Sequence, residues 1–395
     1  FYAVMLLDLA TDWESFRHAL RYWDVPSQNF VYADVEGHIG YQSPGKIPRR
    51  APGHQGLVPV PGWTGEYEWQ GFIPFDELPS VLDPPTGFVS TANNKVVPDE
   101  YPYHLAYEWS APYRAQRITD LLAADDRVSP EDIKALHAQT YSLPAEALRP
   151  YLLNVKPEND RQARALQRVQ EWDLYLEADR VGASVYEVWY WFLVQNTLRD
   201  ELGDELMEEY IEYSSMHVPM MIAWMAQPDH PWFDDRSTPQ IETRDEIAQR
   251  SLADAVAWLS ERYGQDPDRW QWGRLHAKTF VHQPLGQSGI GLLERLFNSR
   301  TVPARGDPFT VDAAWFDYNE PFAMTGGVSQ RYIADLHDLD RSWTIHTTGQ
   351  SGHLFHRHRE DFIRSWQNVE YHPMPFSQEA VQAHAEATLR LVPAP

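Results

Sequence analysis

Near the start of the chain, Trp13, Phe16, Leu20 and Trp23 recur at helical spacing. Thr11 and Glu14 stand just before and within that stripe, at the separation of a capping box, and together they predict a helix. The period then changes. Residues 29–42, NFVYADVEGHIGYQ, alternate apolar and polar on either side of Glu36-Gly37, the pattern of a β-hairpin with one face against a core. Residues 43–90 break both patterns with proline and glycine, yet aromatics recur throughout, so the stretch reads as an ordered loop layer.

Helical periodicity returns from about Arg114 to Gln265, in DRQARALQRVQEWDLYL, ASVYEVWYWFLVQNTLRDEL and TRDEIAQRSLADAVAWLSERYG. Ser129-Pro130-Glu131-Asp132 is a helix start, with a serine cap, proline in the first turn and acids facing the helix dipole. The last third is mixed. DPFTVDAAWFDY, MTGGVSQRYIADL and SWTIHTTGQSGHLF read as strands and turns, and EDFIRSWQNV and QEAVQAHAEATLRL as helices. An α+β organisation is expected, with sheet-forming segments in 1–113 and 266–395 flanking a mostly helical insert, 114–265. The chain opens at Phe1, directly into an apolar segment, and is expected to be the latter portion of a longer protein.

Charge and composition narrow the chemistry. With 57 acidic and 33 basic residues the net charge is −24, which argues against nucleic acid, since phosphate binding needs clustered Lys and Arg. No apolar run is long enough to span a membrane. There are no cysteines, so disulfides, thiolate nucleophiles and Cys-ligated metals are excluded. Sixteen Trp and twenty Tyr suit a large core, or an aromatic sugar-binding platform.

Two serines, Ser351 and Ser288, lie in Gly-Gln-Ser-Gly strings whose spacing is not that of a nucleophile elbow. His353, His356 and His358 beside Glu360 and Asp361 lack the two-histidine, one-glutamate helical pattern of a zinc hydrolase. Carboxylate pairs such as Asp234-Asp235 and Asp338 with Asp340 keep a glycoside hydrolase open as a rival.

The stretch STANNKVVPDEYPYHLAYEWSAPYRAQRI holds two adjacent asparagines, Asn93 and Asn94, and Arg114 about twenty residues on. An asparagine N–H can donate to a developing oxyanion, and loss of one such donor costs about 3–4 kcal/mol of transition-state stabilisation. Arg114 could orient that amide or a substrate carboxylate through its planar fork. The alternative is that both amides make turn contacts and Arg114 a surface ion pair.

The segments QNFVYADVEGHIGYQSPGKIPRR, PVPGWTGEYEWQGFIPFDELPSVLDPPTGFVSTANN, PYRAQRI and TTGQSGHLFHRHREDFIRSW resemble, in order, the latter part of the β chain of the penicillin acylase family of N-terminal nucleophile hydrolases. The resemblance implies a four-layer αββα sandwich with a helical insert, incomplete at its N-terminus. It implies that Asn93 donates to the oxyanion and that Arg114 orients Asn93 and the nucleophile's amine. The attacking group would be an N-terminal serine upstream of this chain, exposed by autoproteolysis, with its own α-amine as base.

The implied activity is hydrolysis of a linear N-acyl amide such as a β-lactam side chain, or of an acyl-homoserine lactone. Implied partners are a small N-acyl substrate and an α chain from the same precursor, outside the cytoplasm in the periplasm or medium. No cofactor is required; a structural calcium ion could draw on Gly56, Asp99, Glu100 or segments outside this chain. Gln28 falls near a wall of the acyl pocket. A parent that has lost its nucleophile and serves as a binding scaffold is a further alternative, and the isolated chain is expected to be inactive.

Overall fold

Trp13 decides how the first sheet is covered. In the computed structural model, which describes residues 1–125, 127–213 and 217–393, helices α1 (Tyr2–Leu7) and α2 (Trp13–Leu20) precede a hairpin of β1 (Phe30–Ala33) and β2 (Ile39–Gln42). The two strands are antiparallel, with Tyr32 opposite Gly40 and Phe30 opposite Gln42. Trp13 lies over this face: its ring centroid is 5.4 Å from that of Tyr32, and a Cβ at Gly40 would come within 2.6 Å of the indole. Glycine is therefore the residue that lets helix and strand approach. Phe16 and Trp23 extend the contact to Phe30, at 6.4 and 4.9 Å.

The cap of α2 is Asp12, whose carboxylate accepts from Ser15 N at 2.8 Å; the expected Thr11–Glu14 box is displaced by one residue. A third strand, β3 (Ser80–Leu82), pairs antiparallel with β2 and was not expected in the proline-rich stretch. That stretch is otherwise tied down by side chains. Arg17 and Arg21 both reach Asp76, at 3.2 and 2.6 Å, while their guanidinium carbons lie 5.1 and 4.5 Å from the centroid of Phe75.

The chain divides into two compact units, Phe1–Asp126 and Arg127–Pro395. The second opens with α4 (Pro130–His137), after α3 (Tyr113–Ala123) closes the first. The Ser129 cap of α4 forms as expected, with Asp132 completing the box. Then come α5 (Leu143–Leu153), α6 (Asp160–Glu171), α7 (Val181–Tyr213, broken at Gly203), α8 (His217–Met225) and α9 (Arg244–Tyr263). α7 and α9 form the heart of this unit. Leu193 and Val194 on one helix and Ile247, Leu252 and Leu259 on the other are fully buried. Trp189 Nε1 donates to Ala248 O at 3.2 Å, and Asn196 donates to Ser251 and Asp254 at 3.1 and 2.9 Å.

α6 stops at Glu171, five residues short of the periodic segment, because Trp172 turns extended and Tyr175 bridges to Tyr141. Beyond α9 the strands are short. The longest set is Gln330–Ile333, Trp343–His346 and His372–Pro373, an antiparallel three-stranded sheet. Arg331 within it is buried and bonded to Asp312 at 2.5 Å and to Trp366 O at 3.0 Å. The last expected helix is confined to Gln378–His384. Among the described residues no helix is long and apolar enough to cross a membrane.

His38, at the hairpin turn, gives the first unit a pH-dependent contact. Its Nδ1 lies 2.8 Å from Asp83, whose other oxygen accepts from Ile39 N at 3.1 Å. The hydrogen bond and charge of Asp83 raise the imidazole above its ordinary 6.5, and the imidazolium lowers Asp83. The stabilisation from His38 is complete below 6.5 and lost as the pH rises through the raised value; that from Asp83 is lost in acid, below its ordinary 3.8. An NMR titration should place His38 above 6.5, and Asp83→Asn should return it toward that value. A His38 midpoint unmoved by the substitution would contradict the pairing.

Candidate active site

Asn93 adopts the left-handed backbone, φ 64°, a conformation asparagine tolerates better than other residues with a side chain. Four hydrogen bonds hold the turn there. Ser110 N donates to Asn93 O at 3.0 Å. Asn94 turns inward, accepting from Ala92 N at 3.1 Å and donating to Lys95 O at 2.9 Å. Arg114, in the first turn of α3, donates from Nη2 to Asn93 Oδ1 at 3.1 Å. The helix itself is fixed to the same loop by the Ser90 and Thr119 hydroxyls, 3.2 Å apart.

The two adjacent amides are thus divided in role. Asn94 spends its side chain on the turn, as the turn-contact alternative supposed. Asn93 does not: its oxygen accepts from Arg114, and the N–H groups of Nδ2 are left over. Among the described residues Nδ2 has no hydrogen-bond partner, and the side chain is exposed. A neutral donor is fixed at its acceptor end by a guanidinium. The nearby positive charge strengthens its N–H groups as donors toward negative charge. Chemically this is what an oxyanion donor requires.

The segment between the two residues is anchored by tyrosines. Tyr101 donates to Glu77 O at 2.8 Å, Tyr103 to the Glu77 carboxylate, and Tyr107 to Gln55. Gln28 is exposed, and among the described residues no hydrogen bond joins it to Asn93 or Arg114. Its neighbour Asn29 accepts from the Tyr41 hydroxyl at 2.5 Å.

Two of the expected calcium ligands, Asp99 and Gly56, each have a cationic neighbour. The Asp99 carboxylate is taken by Lys95, which holds its pKa below the usual carboxylate range. Gly56, with φ 85°, lies beneath Arg50: a Cβ there would meet the guanidinium carbon at 2.8 Å. Calcium takes six to eight oxygens, and the Arg50 guanidinium beside Gly56 adds positive charge there. Glu100 is exposed, and among the described residues no three His, Asp or Glu side chains gather as a metal site.

The other candidates resolve into structure. Ser351 Oγ accepts from His353 N at 3.2 Å and Ser288 Oγ from Ile290 N at 3.3 Å, both local turn bonds. His358 pairs with Asp361 at 2.6 Å. Asp235 pairs with Arg250 at 2.6 Å, and Asp340 accepts from Phe376 N and Ser377 N at 2.8 and 2.7 Å. What sequence reasoning did not foresee is the support of Asn93 by Ser110, a backbone bond with no residue-type signal, and of α3 by the Ser90–Thr119 hydroxyl pair, a contact between residues 29 apart.

This arrangement sits in a chain whose residues 1–383 match the family model described as penicillin amidase. The chain belongs to that family. A penicillin acylase 2 proenzyme from Pseudomonas sp. (strain SE83) is 32% identical over 378 residues, covering 95% of this chain and 47% of that protein. An acyl-homoserine lactone acylase, QuiP, from Pseudomonas syringae pv. syringae (strain B728a) is 30% identical over 384 residues, covering 92% of this chain and 46% of that protein. The chain spans about half the length of these curated relatives. Among solved structures, a thermostable penicillin G acylase from Alcaligenes faecalis superimposes with a TM-score of 0.70 at 20% identity. It covers all of this chain and 72% of that one, and shows a shared mixed helix-and-sheet fold.

The division between the asparagines predicts different stability effects. Asn94→Ala removes the acceptor of Ala92 N and should cost about 1 kcal/mol in denaturant unfolding, with faster amide exchange at Ala92. Asn93→Gly keeps the left-handed backbone without strain and should stay within about 0.5 kcal/mol of the parent. Equal losses from both would contradict the assignment.

Proposed function

We propose that the whole protein is an amide hydrolase that cleaves a linear N-acyl amide through an acyl-enzyme, with Asn93 as an oxyanion donor. The observation that carries this reading is the Arg114–Asn93 bond, which consumes the amide oxygen and leaves Nδ2 as an outward donor. Family membership supplies the reaction class. In the mechanism, a serine at the N-terminus of a processed chain, outside residues 1–395, attacks the acyl carbonyl, and its α-amine takes the proton. The carbonyl oxygen becomes an oxyanion, to which Asn93 Nδ2 donates. Collapse breaks the C–N bond as the ammonium passes its proton to the leaving amine; water then attacks the ester, the α-amine taking its proton and returning one to the serine oxygen as the acid departs. Arg114 is a positioning residue for Asn93.

The completed fold in this reading is the four-layer αββα sandwich, finished by segments beyond this chain and an α chain from the same precursor. It would act in the periplasm or outside the cell. No step requires a metal or an organic cofactor.

Two substrate classes are supported by relatives of similar identity, one called a penicillin acylase and one an acyl-homoserine lactone acylase. Competition between phenylacetyl amides and acyl-homoserine lactones for the complete protein separates them.

In the complete protein Asn93→Ala should lower kcat about 100- to 1,000-fold while the fold persists, the loss typical of one oxyanion-hole donor. Turnover near normal in a folded variant would remove Asn93 from the site. Residues 1–395 alone should show no amidase turnover, because the serine and its amine lie elsewhere. Measurable hydrolysis by the purified chain would refute the proposed nucleophile.

A further inference from the structure

The loop layer of the first unit forms an open cleft of about 300 Å³, a volume suited to a small ligand. Its lining includes Arg49, Arg50, His54, Gln55, Gln70 and His104, and no Asp or Glu is among the lining residues. In a chain of net charge −24 such a wall is a local reversal of sign.

The two arginines are held differently. Arg49 is pinned, donating from Nη2 to Gln70 O at 2.7 Å, while its backbone bridges to Gly71 O at 2.9 Å. Arg50 makes no hydrogen bond or ion pair among the described residues, although it is only half exposed. Its guanidinium rests against Gly56, where a Cβ would come within 2.8 Å. Gly56 has φ 85°, so glycine serves both the turn and the bed for the cation. The Arg50 guanidinium thus presents a planar fork to a concave space. Arg17, Arg21 and Arg250, by contrast, all have carboxylate partners.

We propose that this cleft is a carboxylate-binding site, with Arg50 as its principal ligand and Arg49 beside it. A carboxylate matches the guanidinium fork through two parallel N–H···O bonds, and the Gln55 and Gln70 amides offer neutral polar contacts around it. The carboxylate has two sources: a free small molecule, or an Asp or Glu side chain from the part of the protein beyond this chain. The inference concerns a site separate from the proposed hydrolysis and does not depend on it.

The test uses the complete protein and its Arg50→Gln and Arg50→Lys variants. Each is titrated with succinate by calorimetry, in buffer free of other carboxylates, and melted across a sodium chloride series and with calcium chloride or chelator. Succinate binding to the parent, weakened about tenfold or more in Arg50→Gln, establishes the site with a free ligand. No succinate binding, with a salt-sensitive Tm that Arg50→Lys keeps and Arg50→Gln loses, establishes it with an internal carboxylate. Two results overturn the proposal: Arg50→Gln matching the parent in both assays, or a calcium-dependent Tm in the parent that Arg50→Gln leaves unchanged.

Discussion

The bond from Arg114 to Asn93 Oδ1 carries consequences beyond its 3.1 Å. An asparagine amide has a donor end and an acceptor end, and an unrestrained side chain offers either to a ligand. With a permanent cation on the oxygen, one orientation is selected and the N–H groups face outward. The backbone must cooperate, and at φ 64° it does, because Ser110 N holds the Asn93 carbonyl. Helix, loop and side chain thus converge on the direction of one N–H pair.

The two units reach order by different routes. Arg127–Pro395 has a conventional core, in which large residues are removed from water along α7 and α9. Its tryptophans show why so many aromatics need not bind sugar. Trp172, Trp191, Trp270 and Trp366 each donate to a backbone carbonyl at 2.8 Å, and Trp272 does so at 3.0 Å. An indole whose N–H is satisfied by the backbone is a core residue with its polar handle accounted for. Phe1–Asp126 buries fewer large side chains and relies on tyrosine hydroxyls, arginine forks and turn amides spread over long loops.

That difference explains what could be read in advance. The hairpin was legible because strict alternation surrounds Glu36-Gly37, and α9 because Thr243 and Gly264 mark its ends. β3 was not, since Ser80–Leu82 is exposed and has no pattern of its own; its order comes from β2, some forty residues earlier. The end of α6 was hidden for the same reason, because the Tyr141–Tyr175 bridge is a tertiary contact that overrides local periodicity. In the site, Asn93 and Arg114 could be named by family resemblance. The division of labour between Asn93 and Asn94 could not, because it depends on a backbone angle. A carboxylate in sequence is likewise a candidate until its partner is known, and that of Asp99 is Lys95.

Loop-built sites of this kind place a constraint on substitution that core-built sites do not. A core position senses volume, so a similar apolar residue often serves. The residues around Asn93 instead sense hydrogen-bond direction, and a residue of equal size with its donor and acceptor reversed would leave the loop unanchored. Leucine has neither end, and aspartate at 93 would pair with Arg114 yet offer only acceptors where asparagine offers a donor. The amide at 93 satisfies a guanidinium on one side and keeps its N–H groups for the other.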